Sequence, residues 1–225
     1  MNDTTARKTS TDQVREIVKV LEEQIVLGWL MPRQRLVEEK LTAQFSCKKH
    51  VVREAIFELE RAGLVEHVPN KGATVRFLCP QEVRQIYSVR EALEMLAAEQ
   101  IPLPASDEFI AELTEIQITH TEAVEGRNYP AVFRANMAFH QCLFAACGNP
   151  YLAEMISNAA HKVHGVRFYT STSEPHLIRA RDEHWAMIRA LESNDRESLV
   201  NLCRTHLGPG CDAYMNAVKG LFRAV

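Results

Sequence analysis

The sequence of 225 residues lacks any long run of apolar side chains. A helix that crosses a membrane needs about 18 or more of them, so the composition argues against a membrane protein. The first residues, MNDTTARKTSTD, contain no apolar segment of the kind that a secretory signal peptide requires. We therefore expect a cytoplasmic protein with no membrane partner.

Closely spaced cysteine pairs are also missing. The six cysteines include no C-x-x-C pair, which argues against the common zinc-ribbon and thioredoxin-like patterns. Without a secretion signal, we expect reduced thiols that fill space as small apolar side chains.

An overall excess of positive charge is absent, because the formal net charge is −3. The charge is nevertheless distributed unevenly. Residues 1–78 carry 13 Lys and Arg against 11 Asp and Glu, and the remainder carries 13 against 18. A slightly basic N-terminal part followed by an acidic remainder is consistent with a DNA-binding domain joined to a domain that does not contact DNA.

The hydrophobic pattern is ordered along the chain. Three helical stripes come first, and Thr11 or Asp12 can cap the start of the first one. Two β-like runs follow around the turn Pro69–Gly72, which is typical of a winged helix-turn-helix. Every periodic segment after Cys79 is helical. The predicted fold is mainly α, with a disordered tail, a winged helix-turn-helix DNA-binding domain and an all-helical effector-binding and dimerisation bundle at residues 1–10, 11–78 and 79–225.

The third helical stripe has the composition of a recognition helix. It begins with Lys48, Lys49 and His50, and Arg53 follows one turn later. In helix-turn-helix proteins, the first residues of this helix face the base edges, and cationic side chains hold phosphates. Basic residues at a helix start also occur simply as a solvated face, so the pattern alone leaves that alternative open.

Histidines are frequent in the helical part. His140, His184 and His206 fall on three predicted helices, and Asn136 lies one turn before His140 on the same face. Three imidazoles and one amide oxygen are suited to Zn²⁺ or Ni²⁺. Sequence spacing does not show that they converge, and satisfied core or surface histidines are the alternative.

The N-terminal part resembles the DNA-binding domain of the GntR family of bacterial transcription regulators. The resemblance rests on residues in matching order and spacing: Ile25, Gly28, Pro32, Arg35–Glu38, Leu41, Phe45, Val52–Ile56, Leu59, Gly63–Val65 and Pro69–Val75. It implies DNA contacts from Arg35, from Lys48, Lys49, His50 and Val51, from Arg53, and from Lys71 and Gly72. The family usually has Ser or Thr, Arg, Thr and Pro where Lys48 to Val51 stand, so we expect a different operator sequence.

The helical part resembles the FCD type, the fatty-acid-regulator-like effector domain. Residues 85–94, Phe139-His140 followed by Gly148–Leu152, and Glu183-His184 followed by His206 carry this resemblance. It implies a divalent metal, Zn²⁺ or Ni²⁺, held by Asn136, His140, His184 and His206, with Asn136 standing where Asp is usual. It also implies that Arg90 anchors a carboxylate effector in bidentate fashion. A salt bridge from Arg90 to Glu94, four residues on, is the alternative.

These features predict a ligand-responsive transcription regulator, a repressor rather than an enzyme. As a homodimer it would bind double-stranded operator DNA and respond to a small carboxylic acid. A metal-dependent enzyme with an appended nucleic-acid-binding domain is the alternative, although the sequence has no HExxH motif. An architectural DNA-binding protein with purely structural histidines is a third possibility.

Overall fold

The computed structural model describes residues 9–219 and divides after Phe77 into two compact units. The first unit holds three helices and a two-stranded antiparallel sheet, and the second unit is helical throughout its described part. The predicted fold class, a winged helix-turn-helix followed by a helical bundle, is confirmed. Within residues 9–219, no helix is both long enough and apolar enough to cross a membrane.

The first unit has the order helix, helix, helix, strand, strand. Its elements are α1 (Ser10–Val26), α2 (Glu38–Gln44), α3 (Lys49–Arg61), β1 (Val65–Val68) and β2 (Gly72–Val75). Val52, Ala55 and Leu59 lie on one face of α3 and are fully buried against α1. This packing leaves the opposite face of α3 for solvent.

The turn between β1 and β2 is a tight hairpin, and Val68 pairs with Gly72. Gly72 has a φ of 77°, in the left-handed region that glycine adopts without a steric penalty. The segment before α2 pairs with β2 as well: Leu36 N donates to Ala73 O at 2.9 Å, and Arg33 N donates to Val75 O at 2.8 Å. The wing is thereby fixed to the chain that leads into the helix-turn-helix.

The start of α1 corrects the sequence prediction. Thr9 is the N-cap: its hydroxyl accepts from Asp12 N at 3.1 Å, and the Asp12 carboxylate accepts from Thr9 N at 3.3 Å. The cap was expected at Thr11 or Asp12, but Asp12 is the third helical residue and closes a capping box. Thr9 and Ser10, which were expected in the tail of residues 1–10, are the N-cap and the first residue of α1, and residues 1–8 lie outside the described part.

The second unit is a bundle with one large apolar core. Phe139, Leu113 and Leu199 are fully buried at its centre. Its elements are α4 (Pro80–Gln100), α5 (Asp107–Glu125), α6 (Tyr129–Ala145), α7 (Pro150–Lys162), a 3₁₀ helix (His164–Tyr169), α8 (Glu174–Glu192), α9 (Arg196–His206) and α10 (Gly208–Val218).

Helix starts in this unit follow from local chemistry. Side-chain oxygens of Ser106, Asn128, Asn149 and Asp195 accept from backbone N–H groups of the first turns of α5, α6, α7 and α9. Proline occupies the first turn of α4, α6, α7, α8 and α10, where its missing N–H is not needed. These starts fix which residues of α5, α6, α8 and α9 face the core.

Candidate functional site

The exposed face of α3 is the first candidate site. Lys48 is the N-cap of α3 and makes no capping hydrogen bond with its side chain. Lys48, Lys49, His50 and Arg53, here called the DNA-reading face, are all exposed, as are Arg35 and Lys71. Their positions match the cationic residues predicted from the sequence to contact DNA, and Gly72 lies at the base of the same hairpin.

Two carboxylates of α2 hold the cations of the DNA-reading face. Arg53 Nε lies 3.1 Å and 3.0 Å from the two Glu38 carboxylate oxygens. Lys49 Nζ lies 3.0 Å from Glu39 and 3.4 Å from Glu38. Both of these hydrogen bonds are donated by Nε of Arg53, and neither is donated by its terminal nitrogens. Glu38 therefore orients Arg53 without occupying the end that would meet a phosphate.

The second candidate site is a cluster of histidines inside the helical unit. His140 of α6, His184 of α8 and His206 of α9, here called the three-histidine cluster, each offer a ring nitrogen, and these nitrogens all lie within 4.8 Å of one another. The ring centroids are 4.9–5.0 Å apart. The structure thus brings together three of the four predicted metal-binding residues, from three separate helices.

The tautomer of His184 follows from its neighbour Gln117. Gln117 Nε2 donates to Arg181 O at 3.1 Å, so its Oε1 must be the acceptor that lies 3.0 Å from His184 Nδ1. The proton of His184 is therefore on Nδ1, and Nε2 carries a lone pair. That nitrogen is buried and makes no hydrogen bond within the described residues. A hydrogen bond at the far nitrogen is how proteins orient a metal-binding histidine.

His206 is oriented in the same way by a carboxylate. Its Nδ1 lies 2.7 Å from Glu183 Oε2, and Arg179 Nε donates to the other Glu183 oxygen at 2.6 Å. Burial alone would raise the pKa of Glu183, but the hydrogen bonds from His206 and Arg179 outweigh it and lower the pKa. Glu183 thus stays ionised and leaves Nε2 of His206 free to bind an ion.

Other polar atoms near the cluster are buried without partners. Within residues 9–219, His140 Nδ1 and the Asn136 amide nitrogen make no hydrogen bond. An unsatisfied buried polar atom costs about 1–3 kcal/mol, and several at one place are rare in a purely structural core. The donor set and its unsatisfied atoms fit a borderline divalent ion such as Zn²⁺ or Ni²⁺.

Sequence reasoning missed one residue of this region, His120. It lies on α5, is 1% exposed, and its ring centroid is 5.0 Å from that of His184. Its Nδ1 is buried and has no hydrogen-bond partner among the described residues. The sequence feature that could have identified His120 is its position three residues after Gln117, which puts both residues on one face of α5.

Arg90, the predicted effector anchor, is buried on α4. Its Nε and Nη2 lie 2.9 Å and 2.8 Å from Glu94 Oε1, and both side chains are almost fully buried. The salt bridge considered as the alternative is therefore present. Neither of these bonds uses Nη1, and a role in effector binding stays a prediction.

Burial favours the neutral form of His140 and His184. It lowers the pKa of His140 and His184 far below the usual value, and the charge of His206 lowers both further. Burial, followed by the charge of His206, lowers the pKa of His120 to about 4. Arg167 is half-buried, and its charge also depresses the pKa of His140. Neutral imidazole is the form that binds a metal.

The depressed pKa values predict that acid destabilises the metal-free protein. As the pH falls below 6.5, these histidines bind protons in the unfolded chain but not in the folded protein, where they are buried. Their contribution to the free energy of unfolding is therefore complete above that pH and decreases as the pH falls below it. With a folded pKa of about 4, His120 alone should remove about 2 kcal/mol between pH 7 and pH 5.

Urea unfolding in EDTA at pH 7, 6 and 5 measures this loss, and His120→Gln is the control. The variant should show a shallower decline of the free energy of unfolding with falling pH. Equal slopes for the wild type and the variant would contradict a buried neutral His120.

Two family models match the chain. The model described as "Bacterial regulatory proteins, gntR family" matches residues 13–75, and the one described as "FCD domain" matches residues 85–208. The second match alone spans more than half of the chain. The matches cover the helix-turn-helix with its wing and the helices that carry the three-histidine cluster.

Curated relatives and solved structures agree with these matches. The chain is 25% identical to an uncharacterised HTH-type transcriptional regulator, YdhC of Bacillus subtilis, over 85% of this chain and 86% of that protein. It is 23% identical to the HTH-type transcriptional repressor RspR of Escherichia coli, over 86% and 85%. The structure of E. coli McbR/YncC shares the fold with a TM-score of 0.79 at 20% identity, covering 92% of this chain and 99% of that one.

Proposed function

The chain belongs to the gntR family of bacterial regulatory proteins and carries an FCD domain. We therefore propose that it is a repressor that contains a divalent metal ion and responds to a small carboxylic acid. As a family member it is a transcriptional regulator and not an enzyme. In the proposal, residues 11–78 read a twofold-symmetric operator as part of a homodimer in the cytoplasm. Residues 79–225 hold a divalent ion and a small carboxylic acid that releases the DNA.

One observation carries the metal part of the proposal. The three histidines present ring nitrogens within 4.8 Å of one another, and Gln117 and Glu183 hold the far nitrogens of two of them. These partners favour the tautomers in which Nε2 is free to bind. His140, His184 and His206 would hold Zn²⁺ or Ni²⁺, with Asn136 one turn from His140 on the same helix.

The donor chemistry supports an anionic effector. Three imidazoles and an amide bring no negative charge, so a bound divalent ion would keep its attraction for a carboxylate. Arg90 is the proposed second anchor, because its Nη1 takes no part in the pair with Glu94. Binding of the carboxylic acid would lower the affinity of the protein for operator DNA. By thermodynamic linkage, operator DNA would lower the affinity for the carboxylic acid by the same factor.

A binding screen tests this proposal. Operator duplexes are selected from a random library by the purified protein, and affinity for them is measured with and without small carboxylic acids in the presence of Zn²⁺ or Ni²⁺. We expect an acid that both raises the melting temperature of the metal-loaded protein and lowers operator affinity. Selection of no duplex would reject the DNA function, and an acid response that is indifferent to chelation would reject the metal.

The ion pairs of the DNA-reading face lead to a separate prediction about Glu38→Gln. The substitution removes the carboxylate that orients Arg53 and pairs with Lys49, and it adds one unit of positive charge. Operator affinity should fall several-fold because Arg53 loses its orientation. Affinity for random DNA should rise, because non-specific binding follows charge.

The measurement is fluorescence anisotropy on operator and scrambled duplexes at matched salt. Glu58→Gln, which makes the same charge change beside Arg61 at the far end of α3, is the control. A specificity ratio that is the same in both variants would show that Glu38 has no orienting role.

A further inference from the structure

Asn136 is a poor candidate for the fourth ligand of the ion. Zinc sites in proteins draw on cysteine, histidine, aspartate and glutamate, and a neutral amide is a weaker donor than any of these. The three-histidine cluster supplies three imidazoles, which leaves at least one position open. A stronger donor close to the cluster would therefore compete with Asn136 for the ion.

His120 is such a donor. Its ring centroid lies 5.0 Å from that of His184, the same spacing as between His140 and His184 and between His140 and His206. It comes from α5, so it approaches His184 from a helix that supplies none of the other three histidines. Protonation of His206 or His120 would lower the pKa of His140, so these imidazoles lie close enough to interact electrostatically.

One ring nitrogen of His120 is available for coordination. The side chain is 1% exposed, and Nδ1 is buried with no hydrogen-bond partner in residues 9–219. Gln117, one turn earlier on α5, forms a hydrogen bond with His184, so the face of α5 that carries Gln117 and His120 packs against His184. A buried imidazole left without a partner is unfavourable unless something else binds it, and an ion held by His184 would do so.

We propose that His120 is the fourth protein ligand of the metal ion and that Asn136 is not a ligand. This inference rests on the proposed metal-binding function. Bonds of about 2.0–2.1 Å place tetrahedral nitrogens roughly 3.4 Å apart, so the ion must draw in even the three-histidine cluster. His120 contacts the ring of His184 but stands outside the set of nitrogens that lie within 4.8 Å of one another, so it joins by a larger inward shift than the other three.

The assignment has a consequence for the effector. Four imidazoles fill a zinc tetrahedron, so a carboxylate reaches Zn²⁺ only if the ion expands to five ligands. Ni²⁺ takes imidazole ligands equally well and accepts more than four. The acid therefore binds the Ni²⁺-loaded protein more tightly than the Zn²⁺-loaded protein.

Cobalt spectroscopy on the full chain tests the ligand set. Co²⁺ is the probe, because its visible absorption reports the number and type of ligands directly. We expect His120→Ala to change the band shape and to weaken Co²⁺ binding at least tenfold, whereas Asn136→Ala leaves the spectrum of the wild type unaltered. His120→Gln, which preserves more of the packed volume, should show the same change, and His176→Ala is the matched control.

The outcomes separate the two proposals. If the wild type binds no Co²⁺, the metal-binding function fails, and this inference fails with it. If the wild type binds Co²⁺ and both His120 variants keep its spectrum and affinity, the function stands and His120 is not a ligand. A spectrum that changes in Asn136→Ala instead would assign the fourth position to Asn136.

Discussion

Replacing His140 by alanine should abolish stoichiometric metal binding. His140 supplies one of three ring nitrogens that lie within 4.8 Å of one another. Losing a partner that merely orients a ligand lowers metal affinity about 10–100-fold, and losing a ligand itself should exceed the upper end of that range. Elemental analysis after gel filtration, followed by competition with a chromogenic chelator, measures the loss.

Thermal stability gives an independent reading of the same substitution. At a free metal concentration of 100 times the dissociation constant, binding stabilises the wild type by about 2.7 kcal/mol. A 100-fold weaker site would retain only about 0.4 kcal/mol at that concentration. The metal-induced shift in melting temperature should therefore nearly vanish in His140→Ala.

The control for His140→Ala is His176→Ala. His176 lies on the first turn of α8, in the same unit and on the same helix as His184, but outside the three-histidine cluster. It should keep both the metal and the thermal shift. If His140→Ala retained one equivalent of metal, the cluster would have to be a structural core of histidines.

Replacing Arg53 by alanine should weaken binding to every DNA sequence. Arg53 is exposed on the DNA-reading face, and its Nε donates to the carboxylate of Glu38. The loss of a phosphate contact weakens binding about uniformly across sequences and reduces the salt dependence of binding by about one unit of slope. The substitution also leaves the Glu38 carboxylate facing the phosphates, which adds repulsion.

Arg61→Ala is the matched control for this prediction. It removes the same charge from the last turn of α3, where Arg61 pairs with Glu58 at 3.5 Å. Anisotropy titrations at several salt concentrations should show unchanged slope for Arg61→Ala and a reduced slope for Arg53→Ala. Equal slopes in the two variants would reject the assignment of α3 as the recognition helix.

The helix-turn-helix was accessible from sequence because its signals are local. The apolar spacing of Val52, Ala55 and Leu59 predicts a helix that buries one face, and the structure buries all three. The exception is the start of α1, where Asp12 suggested a cap. Asp12 acts instead as the third residue of a capping box closed by Thr9, a role that the same residue type fills equally well.

The histidine region shows where local signals end. Residue types and the helical spacing of Asn136 and His140 pointed to three histidines that the structure does bring together. The hydrogen bond between Gln117 and His184 joins residues 67 positions apart, and that between Glu183 and His206 joins residues 23 apart. Periodicity within one helix does not specify which face of another helix it will meet.

By itself, the sequence determined the order of elements, the buried face of α3 and the types of side chain available for DNA and metal. These follow from backbone propensities and from apolar spacing within single helices. Only the tertiary structure decided that Glu38 orients Arg53 and that His120 lies beside His184. The reason is physical: such contacts depend on how helices rotate and cross when they pack a common core, and that arrangement is a property of the whole chain.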